Sequence, residues 1–172
     1  MSTPNRLEDG TSVAAKELGR GRFVKLVECN GWEFASRTRA SGVVGVLARN
    51  PAGAFVLIEQ FRAPLGQRVI EIAAGLVGDD GHAESLEEAA RRELLEETGH
   101  EAGTLVHLGA FPTSAGLTDE IINLFWADDA RQVGPVTGDG AEVITLHEVA
   151  PADLPVFLAR RAAQEIGRAS CR

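Results

Sequence analysis

Short alternating apolar runs dominate the first half of the chain. Phe23–Cys29, Trp32–Arg37, Val43–Ala48 and Phe55–Phe61 each read as a strand with one face turned inward. Asn30-Gly31 separates the first two and favours a tight hairpin turn, because both residues tolerate positive φ. Asn50-Pro51-Ala52-Gly53 marks the next reversal, and Val69–Ile72 is a short strand ending in Ala73-Ala74-Gly75. The pattern then changes period. A Gly- and Asp-rich loop from Gly75 to Gly81 leads into a helix over Ser85–Thr98, with Ser85 and Glu88 spaced as a capping box and Gly99 placed to stop it. Strands return at Thr104–Leu108, Ile121–Trp126 and Glu142–Leu146. A last helix spans Ala152–Glu165, with Pro151 and Pro155 near its start, where proline is best tolerated. Residues 1–20 show no such pattern and predict little order. The sum is an α/β fold, a mixed β-sheet with helices packed on it and an N-terminal antiparallel strand region.

Composition narrows the function more than the fold. The 172 residues suffice for one domain, and 44% hydrophobic with 24% charged residues is globular usage. No apolar run approaches the ~20 residues of a membrane span. Met1–Glu8 is polar and lacks a signal-peptide core. Cys29 and Cys171 are too few and too far apart for a disulfide framework, so a reducing cytoplasm is the expected location. A net charge of −8 argues against nucleic acid as partner. It leaves small anions open, since local arginines or metal ions invert the field at a site.

The acid is concentrated. Asp79, Asp80, Glu84, Glu87, Glu88, Glu93, Glu96 and Glu97 fall within one stretch. Glu93, Glu96 and Glu97 stand at i, i+3 and i+4 and share a helix face, where like charges repel. Arg91 and Arg92 relieve part of that repulsion, and hard divalent cations would relieve the rest. A solvated acidic face carries such a triad more often than a metal site does, so the three glutamates alone favour the solvated face.

The longer pattern decides. Gly78, Glu84, Arg92, Glu93, Leu94, Glu96, Glu97 and Gly99 resemble the Nudix box, G-x5-E-x7-R-E-U-x-E-E-x-G-U, with His100 in place of the last aliphatic residue. The resemblance implies a Nudix fold, in which the mixed sheet is sandwiched between helices and the box forms a loop–helix–loop whose glutamates hold metal. Glu93 and Glu97, then Glu96, are the implied ligands for magnesium, with manganese as substitute. The box glycine is Gly78 by spacing or Gly75 by its place after Glu71-Ile72-Ala73-Ala74. In similar enzymes the carbonyl before that glycine is a metal ligand, which points to Ala74.

The flanks resemble ADP-ribose and ADP-sugar pyrophosphatases. Gln60-Phe61-Arg62 followed by Glu71-Ile72-Ala73-Ala74-Gly75-Leu76 is similar to their Q-[YF]-R … E-[LF]-P-A-G-L signature, with alanine for proline at position 73. This implies Arg62 and Leu76 in substrate binding, and arginine pairs well with phosphate. Gly21–Leu26 and Gly31–Arg37 resemble the family's N-terminal strands, where two aromatics, one from each subunit of a homodimer, sandwich the base. The matching residues are Phe23 and Trp32, with Glu33 and Arg37 as polar contacts. Residues 1–40 are then a tail and hairpin serving dimer and base, and residues 41–172 the hydrolase domain.

These readings imply hydrolysis of the pyrophosphate bond in ADP-ribose or another nucleoside diphosphate sugar. Arg92 and Glu96 would support the reacting centre. Gly138-Asp139-Gly140-Ala141-Glu142 resembles the G-D-G-E stretch of ADP-sugar pyrophosphatases, interrupted by Ala141, which implies Glu142 as the general base, with Glu120 and Asp139 as alternatives. Ser114-Ala115-Gly116 has alanine where many ADP-ribose enzymes have proline, which leaves substrates such as GDP-mannose open. A ligand sensor of the same fold without catalysis is the competing class, and it usually lacks the box glutamates. The four histidines show no ligand spacing.

Overall fold

The computed structural model describes residues 13–39, 42–78, 83–138 and 143–169, with side chains described up to residue 162. The strands before the first helix are β1 (Lys16–Arg20), β2 (Val24–Cys29), β3 (Trp32–Arg37), β4 (Gly42–Arg49), β5 (Phe55–Arg62), β6 (Gln67–Glu71) and β7 (Ala73–Val77). Helix α1 (Leu86–Thr98) follows, then β8 (His100–Glu101), β9 (Leu105–Pro112), β10 (Ile121–Ala127), β11 (Arg131–Gln132), β12 (Thr145–Val149) and helix α2 (Leu154–Ala169).

The first three strands form an antiparallel sheet in the order β1-β2-β3. Asn30 and Gly31 take φ of 51° and 80° at the turn between β2 and β3, as their sequence demands. The main sheet runs β12-β5-β4-β10-β9, with β6 on β5 and β7 on β4. It is mixed because β10 lies parallel to β4 while its other pairings are antiparallel.

Alternation along the strands separates two layers. Val44, Val46 and Ala48 of β4 and Val56 of β5 pack with Ala89, Ala90 and Leu94 of α1 in the main core. Ile58, Gln60 and Arg62 therefore share the α1 side of β5. On the opposite side, the Glu59 carboxylate meets His147 Nε2 at 2.8 Å and Arg161 of α2 at 3.3 Å. His147 also packs its ring on Phe157 of α2. The two helices thus sandwich the sheet, as expected from the sequence. No helix among the described residues is long and apolar enough to cross a membrane.

Four expectations need correction. Lys16–Arg20 forms a strand although residues 1–20 promised little order: all five residues are exposed, so no alternation announces β1, and pairing to β2 makes it. The stretch expected to become loop at Gly75 continues as β7 through Val77, because β4 supplies a partner from Val46 to Gly42. The strand expected at Glu142–Leu146 begins at Thr145, where pairing with Glu59 starts. The final helix starts at Leu154 rather than Ala152, so Pro155 sits in its first turn.

Candidate functional site

Helix α1 begins as its sequence predicts. The Ser85 hydroxyl accepts from the Glu88 N–H at 3.2 Å, and the Glu88 carboxylate accepts from the Ser85 N–H at 2.8 Å. Such a cap contributes about 1 kcal/mol. At the other end Gly99 takes φ 70°, the left-handed conformation that closes a helix.

Two acids of the helix are driven against β7. Glu93 and Glu97 are 9% and 7% exposed, values carboxylates reach only with compensation. Glu97 accepts from the Ala74 N–H at 2.9 Å. Glu93 passes directly over Gly75, where an added Cβ would stand 2.0 Å from its Oε1. The two glycines that the sequence left as alternatives therefore have separate tasks. Gly75 makes room for Glu93, while Gly78 adopts φ 69° and sends its N–H to Glu84 at 3.2 Å.

Arg92 ties this acid together. Its guanidinium donates to both oxygens of Glu84 at 2.9 and 3.2 Å, to Glu93 at 2.7 Å, to Glu96 at 3.1 Å and to the Leu76 carbonyl at 3.1 Å. Hydrogen bonding to Glu84, with the charge of Glu93 added and desolvation opposing, raises its pKa further above the ordinary arginine range. Arg92 is a fixed cation that orients Glu84, Glu93 and Glu96. Leu76 enters through its backbone.

The donor chemistry fits a hard divalent cation: buried carboxylates on one helix face, with backbone beside them. Among the described residues no three His, Cys, Asp or Glu side chains close into a metal cage. Magnesium needs none, because it keeps several waters and binds one or two carboxylates together with substrate phosphates.

The same face of the sheet carries a second charged group. Arg62 grips Glu71 with both oxygens engaged, the Nε bond being 2.8 Å, and Gln60 donates to the same carboxylate at 3.1 Å. Gln60 is 1% exposed. Glu71 and Gln60 thus orient Arg62, a role the sequence reading missed. Their register was the available signal: Ile58 pairs with Glu71, so residues 60, 62 and 71 must share a face.

The N-terminal residues form a separate group. Phe23 and Trp32 are 64% and 66% exposed. Trp32 pairs with Cys29 at the turn end of the hairpin, whereas Phe23 lies at the far end, its carbonyl accepting from Thr38. At about 3.3 Å per residue they stand roughly 20 Å apart, too far for one copy to sandwich a ring between them. The Arg22 guanidinium lies 4.8 Å over the Phe23 ring. Glu33 is exposed on β3 opposite Glu28. Arg37 is bound to Glu120, and the Ala35 N–H donates to the Leu117 carbonyl at 2.8 Å, so the 114–120 loop is bonded to β3. Glu142 and Asp139 lie outside the described residues.

Comparison with known proteins agrees with this architecture. The NUDIX domain model matches residues 39–169. The chain is 36% identical over 129 residues to the ADP-ribose pyrophosphatase of Bacillus subtilis strain 168, covering 72% of this chain and 68% of that one. It is 35% identical over 153 residues to the methanol dehydrogenase activator of Bacillus methanolicus, covering 84% and 80%. A solved structure described as that of an ADP compounds hydrolase superposes with a TM-score of 0.66 at 20% identity, over 98% of this chain and all of that one, a likeness of fold. The box on α1, the extent of the domain match and the similarity to these relatives agree: the chain belongs to the Nudix family and is a Nudix hydrolase.

Proposed function

We propose that the protein hydrolyses the pyrophosphate bond of ADP-ribose or a related nucleoside diphosphate sugar, giving a nucleoside monophosphate and a sugar phosphate. The observation that carries this reading is the burial of Glu93 and Glu97 against Gly75 and Ala74, on the face of the sheet that also bears Arg62. Similarity to an ADP-ribose pyrophosphatase supports the substrate class.

In this reading Glu93 and Glu97, assisted by Glu96 and the Ala74 carbonyl, hold magnesium or manganese. The bound ion supplies a lowered pKa for water and charge neutralisation on the diphosphate. Arg62 binds the diphosphate, its fork pre-set by Glu71 and Gln60. Glu142 takes the proton as water oxygen bonds to phosphorus. The bridging P–O bond breaks, and its electron pair leaves with the other phosphate. Arg92 and Glu84 keep the acidic face in register. Leu76 borders the site on β7, and Arg37 and Glu33 supply polar contacts to the nucleotide. Phe23 and Trp32 stack on the base, one from each subunit of a homodimer, which accommodates their separation within one copy. The site needs no nucleic acid or membrane, and a cytoplasmic location suits its substrate.

The test is release of AMP from ADP-ribose with and without magnesium, alongside GDP-mannose, UDP-glucose and NADH. Glu97→Gln is expected to lose activity on the order of 10²-fold or more. Full activity in that variant would remove the metal assignment. Preference for GDP-mannose would move the substrate class, in line with Ala115. Binding of all compounds without turnover would leave a sensor.

A further inference from the structure

The last turn of α1 carries Glu96 and Glu97, and a helix leaves its final carbonyls without partners of its own. Here they are met from outside. The Leu95 carbonyl accepts from the cap N–H of Gly99 at 2.8 Å. The Glu96 carbonyl accepts from two backbone N–H groups of a distant segment, Thr137 and Gly138, both at 2.9 Å. The Thr137 hydroxyl reaches the same oxygen at 3.4 Å, long for a hydrogen bond. That segment is also pinned at Gly99, whose carbonyl accepts from Val133 at 2.8 Å and Gly134 at 3.2 Å. The fit is close: a Cβ on Gly99 would stand 2.3 Å from the Gly134 carbonyl oxygen. Residues 133–138 form a strap across the end of the box helix.

We propose that Thr137 and Gly138 are positioning residues of the metal site, their N–H groups fixing the turn from which Glu96 and Glu97 project. This rests on the reading that those carboxylates hold the divalent ion. Helix ends fray when their carbonyls are left to water, and metal ligands tolerate errors of only about 0.5 Å. Two N–H donors on one carbonyl remove that freedom. The coupling is reciprocal: if the strap orders the ligands, the ion must order the strap. The contact lies in the backbone, so the Thr137 side chain is dispensable while its N–H is not.

Calorimetric titration of the whole chain with Mn2+ separates these parts. Thr137→Pro removes the N–H and is expected to lower Mn2+ affinity about 10-fold or more, the scale of lost support behind a metal ligand. Thr137→Ala keeps the N–H and is expected to bind as wild type does. A second measurement uses the unaltered protein, so that misfolding of the proline variant decides nothing: Mg2+ should slow amide hydrogen exchange at Thr137 and Gly138, followed by NMR. If the proline variant folds and binds Mn2+ like wild type, or if Mg2+ leaves exchange at both amides unchanged in a wild type that binds it, the strap has no positioning role. If wild type itself binds no Mn2+, the metal reading fails first and takes the strap's role with it.

Discussion

At position 75 a single hydrogen in place of a methyl group decides where a carboxylate sits. The Glu93 oxygen occupies the volume that a Cβ would fill. Gly75→Ala must push Glu93 off β7, and it is expected to cost on the order of 10²-fold in kcat/KM while circular dichroism stays unchanged. Unaltered activity would show that Glu93 is not needed at that spot. The spacing of residues 92, 93, 96 and 97 was legible because side-chain identity at helical intervals carries it. The separate uses of Gly75 and Gly78 were not, since a glycine's reason lies in what passes over it or in its φ. His100, which takes the aliphatic position of the box, also shows its reason only in three dimensions. It is 1% exposed, and its Nδ1–H donates to the Thr98 carbonyl at 2.8 Å. Among the described residues its Nε2 has no hydrogen-bond partner, with Glu148 3.5 Å away.

Among the elements, α2 is fastened to the sheet by charge as well as packing. Desolvation would raise the Glu59 pKa, but hydrogen bonding from His147, the charge of Arg161 and contacts from Arg68 outweigh it and leave the carboxyl below its usual range. A depressed carboxyl contributes stability above its unfolded pKa, near 4.3, and loses that contribution as pH falls through the folded value. Glu59→Gln should therefore melt below wild type at neutral pH, and the gap in Tm should narrow as pH falls below about 4. A gap constant with pH would assign the loss to packing instead. Helix α1 was readable almost to the residue because its cap, period and stop all point the same way. The start of β12 was misplaced by three residues, since β-rich composition does not fix register and pairing with β5 does. The strap at Thr137 and Gly138 was invisible for a simpler reason: backbone N–H groups leave no mark in a sequence.

Over the whole molecule, the distance between Phe23 and Trp32 has a consequence that can be measured by mixing. If each base site takes one aromatic from each of two copies, Phe23→Ala and Trp32→Ala homodimers both lack complete sites. A heterodimer of the two has one intact site. Random reassociation of equal amounts should restore about a quarter of wild-type activity, as two-fold symmetry requires. No recovery on mixing would place both aromatics in sites made by single chains, or outside the site altogether. That helices pack on a mixed sheet was foreseeable from the change in hydrophobic period, and their place on both faces was implied by the Nudix resemblance. The link between the N-terminal sheet and the 114–120 loop was not, because neither segment advertises the other. That link is made of main-chain bonds at Ala35 and the Arg37–Glu120 pair. The residues that would read the base thus sit on a sheet of their own, while the acids of α1 belong to another layer. On the proposed reading, drift in the hairpin would alter which nucleotide is chosen and leave the hydrolytic apparatus untouched, so a lineage built on this plan would change its clientele without reinventing its chemistry.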